Sequence, residues 1–600
     1  MVSRFCYSVG MDNKQYTWNL GLLYKSPKDP QIEKDVQDIE KAFIYFEKKY
    51  KNADFTKTPK TLLSALEDLE SINKKLSKKN PSWYFALKTD LDSSDDYSQA
   101  METKISQRLT IAANKVTFFD LKIGKIPKKD QKIFLNYESL SPFKYQLERI
   151  FENVKYDLSE KEEQMVSLLS QTSFSMWVDG QQKLLNQQTV EHNKKQIPLS
   201  QAMSILADLP KGARRALHEK INKALKNISH FAEAEINATY NFKKVMDIQR
   251  GFKTPYEATV LGYENDLKTI ETLVETVTKH FTISQRFYKL HAKLIKEKTL
   301  TLADRSVKIG SISKKFTFEN TIDIVHKAFS SVGGKYASFI DIFLKNRQID
   351  VYPVKGKKSG AYCWGSGEGP TFVLLNHTDD IRSVETLAHE MGHAIHTELS
   401  KKQPPQYRHY STATAEVAST FFEQLVNDEL EAQLSNKEKV VLLHNKIMGD
   451  ISTIFRQVAC FNFELELHNT IREKGQISKA EMAKLMNKHF SSYIGPSVAL
   501  SEDDGYFFVT WSHIRRFFYV YSYAYGQIVS RALFEKWKKD HSYINKIDQF
   551  LSAGRSMSPK DIFKKIGIDT SDPKFFEAGL KAIDEDIKKL ERLAKKEGLI

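Results

Sequence analysis

Apolar residues recur at four-three spacing from one end of this chain to the other. Ile32, Val36, Ile39, Phe43, Phe46 and Tyr50 form one stripe, Leu62, Leu66, Leu69, Ile72 and Leu76 a second, and Leu580, Ile583, Ile587, Leu590 and Leu593 a last. Such spacing puts each set on one face of an α-helix. A chain built this way must bury helix against helix, so a mainly α protein is predicted. Ser558-Pro559-Lys560-Asp561 reads as a helix start, with Ser at the N-cap, Pro in the first helical position and an acid in the first turn. One region departs from the pattern. Segments 349–354, 361–364 and 371–375 are short, rich in β-formers and separated by Gly and Pro. They predict a small sheet near 349–376, just before a helix near 380–400. The run 191–196 has no apolar residue and is followed by Pro198. It divides the chain into an N-terminal helical lobe, 1–195, and a remainder, 196–600.

Composition bounds the partners. At 600 residues, 41% hydrophobic and 12% aromatic, the chain is globular. No run approaches 18 apolar residues, so no membrane span is expected. Residues 1–7 lack the apolar stretch of a signal peptide. Three cysteines, Cys6, Cys363 and Cys460, cannot make a disulfide framework. A cytoplasmic location is the expectation. The net charge of +15 suggests nucleic acid, but lysines alternate with acids, as in Glu47-Lys48-Lys49 and Lys588-Lys589-Leu590-Glu591-Arg592. Mixed faces of that kind are solvated helix surface, and no nucleic-acid motif accompanies them.

The chemistry concentrates at His389-Glu390-Met391-Gly392-His393. Val384, Leu387, Ala388, Met391 and Ile395 keep helical spacing through it. His389 and His393 then leave the same side of one helix, one turn apart, where two neutral imidazoles can grip a Zn²⁺. Glu390 sits beside such a metal, able to take a proton from a water on it. A third protein ligand is needed. Glu416 and Glu423, seven apart on a second helix-like segment, share a face, and either could reach back. Glu416 is favoured as ligand and Glu423 as the partner that orients a histidine N–H. His396 lies one turn further along, too far to complete a tetrahedron, and is read as a packing histidine or one that orients a ligand.

A second candidate segment is the aromatic run from Tyr506 to Tyr525. Most of it, including Phe507, Phe517 and Phe518, is core. Attack on a peptide carbonyl builds negative charge on oxygen, and a His or Tyr donor stabilises it. His513, Tyr519 and Tyr523 are the candidates. The loop 365–370 misses dinucleotide spacing and joins two strands. It is either a plain turn or a substrate-facing loop, and an edge strand beside it could receive a peptide as an added strand.

Together, the stretch from Asp379 through His396, Glu416 downstream, and His513 followed by Phe518-Tyr519-Val520-Tyr521-Ser522-Tyr523 resemble the M3 metallopeptidases, in particular the oligoendopeptidase F branch. Trp18-Asn19-Leu20, Arg250-Gly251-Phe252, Ser359-Gly360-Ala361-Tyr362-Cys363 and the tail 550–569 extend the resemblance over nearly the whole chain. The tyrosines fall at other spacings than in thimet-type relatives, so both Tyr519 and Tyr523 are retained. The resemblance implies a neurolysin- or thimet-like zincin fold, a two-lobed helical shell around a deep channel. It implies one zinc per chain on His389, His393 and Glu416, with Glu390 as catalytic base, and hydrolysis of internal bonds in oligopeptides. Two alternatives stand beside it: a dipeptidyl carboxypeptidase or carboxypeptidase on the same shell, and a non-catalytic basic helical protein with a vestigial metal site. The first needs a cation to clamp a terminal carboxylate, which the sequence does not identify. The intact Glu390 speaks against the second. Oligomeric state is not readable.

Overall fold

A computed structural model describes residues 16–78, 80–365 and 367–600. The N-terminal residues 1–7, Cys6 and Ser366 of the glycine-rich loop lie outside the described residues. The architecture is mainly helical, as the apolar spacing requires. Helix Pro30–Tyr50 buries Ile32, Val36, Ile39, Phe43, Phe46 and Tyr50, and helix Pro573–Lys596 buries Leu580, Ile583, Ile587 and Leu590. Ser558 caps helix Pro559–Lys565, with Pro in its first turn.

The apolar side chains gather into two cores. One is built from residues between Trp18 and Leu147, and a larger one runs from Val190 to the C-terminus. Residues 191–196 are not a bare linker. They turn a hairpin of strands Thr189–His192 and Lys195–Pro198, whose flanking Val190 and Leu199 belong to the larger core.

Three short strands join the two cores. They are β1 (Ile349–Asp350), β2 (Tyr362–Trp364) and β3 (Phe372–Leu374). β3 is central, parallel to β1 and antiparallel to β2. Because side chains alternate across a strand, Phe372 and Leu374 enter the N-terminal core while Val373 and Leu375 enter the larger one. Trp18 holds this seam from the N-terminal side, with its indole N–H on the Val373 carbonyl at 2.8 Å. The loop after β2 is tethered as well. The amides of Glu368 and Gly369 donate to the Ser77 carbonyl, and Glu368 pairs with Arg408 at 2.7 Å.

Four helices of the larger lobe carry the site. They are α1 (Ile381–Ser400), α2 (Thr412–Gln433), α3 (Arg456–Lys474) and α4 (Tyr521–Lys539). Asp380 caps α1 by accepting from the Ser383 amide at 2.8 Å. Val384, Leu387, Ala388, Met391 and Ile395 are fully buried along one face of α1, which turns the histidine face toward α2. No described helix is long and apolar enough to cross a membrane.

Candidate active site

Close helix packing builds the site. Gly392 lies within the histidine pentad, and a Cβ there would meet the Ser419 Cα at 2.7 Å and the Ala418 carbonyl oxygen at 3.1 Å. Only a residue without a side chain lets α1 and α2 approach this closely. Gly526 of α4 does the same from the other side, where a Cβ would meet that of Glu416 at 2.8 Å. Glu416 is thereby pressed toward the two histidines.

One ligand atom each from His389, His393 and Glu416 lie within 4.8 Å of one another. Glu416 Oε2 is 3.4 Å from His389 Nε2 and 3.7 Å from His393 Nε2. Ligands at zinc distances stand about 3.4 Å apart along a tetrahedral edge, so this spacing fits that ion. Glu423 stands apart from the trio and meets the other nitrogen of His389, Nδ1, at 3.1 Å. Ser419 donates to Glu416 Oε2 at 3.1 Å, a contact the sequence did not suggest. His396 is elsewhere, stacked on Tyr410 with centroids 3.7 Å apart. Burial and His393 lower its pKa to about 3, so it packs as a neutral ring.

The electrostatics fit a cation. Burial opposes charge on His389, yet hydrogen bonds to Glu416 and Glu423 raise its pKa well above the usual histidine value. Burial and the charge of His389 lower His393 to about 4. Against burial, His389, His393 and Ser419 hold Glu416 down at about 2. A donor set that gathers a proton to hold itself together is one arranged around positive charge. The side chains of His389, His393 and Glu416 keep 28%, 16% and 30% of their surface accessible, although protein surrounds them closely. They form the floor of a recess that water reaches. Glu390 is buried next to this trio without joining it. Burial raises its carboxyl to about 7 despite a hydrogen bond from the Cys363 amide of β2.

His513 lies in a 3₁₀ turn, Ser512–Arg516, that follows another, Glu502–Val509. Arg515 clamps that segment to helix Lys211–Arg250 through Glu235 at 2.8 Å and ties it to itself by donating to the Phe508 and Trp511 carbonyls at 2.7 and 3.1 Å. Tyr240 donates to the Ile514 carbonyl at 3.0 Å. The Trp511 indole N–H reaches His513 Nδ1 at 3.0 Å. His513 Nε2 lies 3.4 Å from the Tyr523 hydroxyl, and the His513 and Tyr519 rings are nearly parallel with centroids 6.3 Å apart. Tyr519 and Tyr523 meet edge to face at 5.1 Å. The structure thus brings all three candidates together, but not through one continuous helix. α4 starts only at Tyr521. Phe517 and Phe518 before it have φ of +39° and +62°, a strained conformation for bulky residues. That turn is held by the Phe518 amide on Glu464 at 2.9 Å and by Thr259 on the Phe517 carbonyl at 2.7 Å. Tyr523 precedes Gly526 by one turn, so it shares the face of α4 that touches Glu416. Burial, Tyr519 and Glu416 push its phenol well above the usual value, which leaves it a donor.

The chain is similar to proteins of known family along most of its length. Residues 211–582 match the model of Peptidase family M3, and residues 122–184 that of Oligopeptidase F. Oligopeptidase PepF of Bacillus subtilis is 26% identical over 594 residues, covering 97% of this chain and 87% of that protein. An oligoendopeptidase F homolog of Borreliella burgdorferi is 26% identical over 573 residues, covering 93% and 94%. Among solved structures, a Chlamydophila abortus protein shares the fold with a TM-score of 0.86 at 21% identity, covering 97% of this chain and 99% of that one. Oligoendopeptidase-F from Enterococcus faecium does so with a TM-score of 0.71 at 18% identity, covering 94% and 99%. The M3 match spans the helices bearing His389, His393 and Glu416 and the loop bearing His513, and on that extent the chain belongs to peptidase family M3.

Proposed function

We propose that the chain is a zinc-dependent endopeptidase that hydrolyses internal bonds of oligopeptides, with one Zn²⁺ held by His389, His393 and Glu416. The observation that carries this is the convergence of three ligand atoms within 4.8 Å, beside a buried glutamate, on the floor of an accessible recess. Membership of a metallopeptidase family supplies the catalytic metal and the peptide substrate class. The names oligopeptidase and oligoendopeptidase F among the relatives support the preference for short chains and internal bonds.

Zinc held by His389, His393 and Glu416 would supply Lewis acidity toward a water and a carbonyl oxygen. The remaining roles belong to the chain. Glu390, its carboxyl raised to about 7 by burial, takes the proton of the attacking water and delivers it to the departing amine. The Cys363 amide holds the Glu390 carboxylate in place. His513 Nε2–H and the hydroxyls of Tyr523 and Tyr519 donate to the carbonyl oxygen as it gains charge. Strand β2 forms one margin of its sheet and passes beside Glu390, so a peptide can be laid along it through backbone hydrogen bonds. A cytoplasmic location belongs to this reading, in keeping with the three cysteines of the chain.

The test is a digest of a mixed peptide library with the products sequenced by mass spectrometry, on protein of known metal content. Internal cuts that vanish with a chelator and return with zinc are expected. Release of C-terminal dipeptides or single residues alone would give preference to the carboxypeptidase reading. Full activity in metal-free protein would end the zinc mechanism.

A further inference from the structure

Buried arginines in this protein are normally matched by acids. Arg214 meets Asp304 at 2.7 Å, Arg515 meets Glu235 at 2.8 Å, and Arg531 is bonded to Asp450. Arg456 breaks the pattern. It is half-buried at the first position of α3, and among the described residues no carboxylate lies within ion-pair distance of it. Its Nε is sealed from water without a partner, and of the three guanidinium nitrogens it is the only one so sealed. The two terminal nitrogens are not sealed in this way, and the residue keeps part of its surface accessible.

Its surroundings add positive charge. Burial and the neighbouring Arg305 both work against the Arg456 cation, with only the phenols of Tyr493 and Tyr288 and the Cys460 thiol on the other side. Arg305 makes no ion pair among the described residues either. Its guanidinium lies over the rings of Phe507 at 5.2 Å and Phe490 at 5.9 Å. Those two rings pack on Trp511 at 5.4 and 5.9 Å, and Trp511 is bonded to His513. One aromatic wall thus leads from Arg305 to His513, and the charge of Arg456 is felt at that histidine. A π-helical turn, Ile451–Phe455, immediately precedes Arg456. Such a turn inserts one residue and rotates the helix beyond it by about 100°, which re-aims the first side chain of α3.

Two half-buried cations with no acid between them destabilise a fold, because an unpaired charge loses its hydration without compensation. A purely structural arginine here would be paired, as the other three are. We infer that Arg456, with Arg305 behind it, is a binding subsite for a carboxylate of the peptide substrate, beside His513. The assignment rests on the peptidase reading above. The ligand class comes from chemistry, since a peptide at neutral pH offers no anion other than carboxylate, on its C-terminus or on Asp and Glu side chains. A guanidinium presents parallel N–H donors that match a carboxylate.

The experiment uses zinc-loaded full-length enzyme and one oligopeptide in matched pairs. The first pair compares a free C-terminal carboxylate with the C-terminal amide. The others compare Glu with Gln at each position in turn. Hydrogen bonds to a charged group predict that kcat/KM favours the carboxylate member of at least one pair by about 10- to 100-fold. The responding pair separates a terminal carboxylate from a side-chain one. Arg456→Gln should collapse that ratio toward one, and Arg456→Lys should retain part of it. The thermal midpoint of Arg456→Gln should hold or rise, since an unpaired cation has been removed, whereas loss of a structural arginine lowers it. The same pairs titrated into Glu390→Gln by calorimetry read binding without turnover, with the same discrimination expected. No preference in any pair by either method, or a preference that survives in Arg456→Gln, overturns the subsite. If neutral peptides are cut in a zinc-dependent manner meanwhile, the peptidase reading stands without it.

Discussion

The Trp511 indole N–H donates to His513 Nδ1 at 3.0 Å. An indole nitrogen has no acceptor capacity, so Nδ1 must be the bare nitrogen and the proton must sit on Nε2. Burial, Arg456 and Arg516 lower the His513 pKa to about 4, so the ring is neutral near pH 7 and this tautomer is the one present. The N–H that faces Tyr523 is therefore a donor, as stabilising a carbonyl oxygen requires. Trp511→Phe keeps a ring against Phe490 and Phe507 but frees the tautomer. A single lost hydrogen bond predicts a fall in kcat of about 3- to 10-fold with little change in KM. His513→Ala should cost more, again mainly in kcat. Nitrogen chemical shifts of His513 report the tautomer directly. An unchanged tautomer in Trp511→Phe would sink this account.

Glu416 and Glu423 should separate cleanly by mutation. Glu416→Ala removes one of three metal ligands, and zinc content should fall to near zero. Glu423→Ala removes only the acceptor on His389 Nδ1, so zinc should stay bound with affinity weakened by about 10- to 100-fold. Glu390→Gln should retain zinc while turnover drops by at least about 10²-fold. Metal analysis of the three proteins decides the assignment, and the reverse pattern for Glu416 and Glu423 would refute it.

Gly392 makes a geometric prediction. In Gly392→Ala the new methyl meets backbone atoms of Ser419 and Ala418, which cannot rotate away. The two helices must move apart, carrying Glu416 from the histidines. Overpacking of this kind costs about 1–3 kcal/mol, and zinc affinity should fall although every ligand is intact. Chelator competition measures it, and wild-type affinity in this variant would show that the close approach is not needed.

These glycines mark the limit of what local sequence patterns reveal. The helical stripes, the small sheet and the helix after it were legible, because apolar spacing is a local signal that survives without the partner surface. His389, Glu390 and His393 were legible for the same reason, lying within one turn of one helix. That Glu416 closes on them depends on Gly392 and Gly526, whose roles appear only when three helices cross. Likewise Tyr519 and Tyr523 are four apart in sequence, one helical turn, whereas the left-handed turn at Phe517 and Phe518, held by Glu464 and Thr259 from distant segments, sets their geometry. Trp511 and Arg456 carried no motif at all, and their significance is in what they touch or fail to touch.

Asp304 supplies a test of stability against pH. Its carboxylate is fully buried and receives Arg214 at 2.7 Å, Arg215 at 2.5 Å and the Thr301 amide at 2.9 Å. Burial alone would raise its pKa, but those donors hold it at about 2, against about 3.9 in an unfolded chain. The folded pKa is the lower one, so folding favours the ionised form. That contribution is fully present above pH ~5 and is lost as pH falls through 3.9 toward 2. A difference of this size corresponds to roughly 2–3 kcal/mol. Asp304→Asn should therefore lower the thermal midpoint at pH 7, and by more than this linkage alone, since it strands the buried Arg214; removing one partner of a buried pair costs about 3–5 kcal/mol. The gap between variant and wild type should narrow as the buffer is taken below pH ~4, where the unfolded wild type takes up a proton on Asp304 that the folded state does not. A gap that stays constant down to pH ~2.5 would mean that folding does not depress the Asp304 pKa.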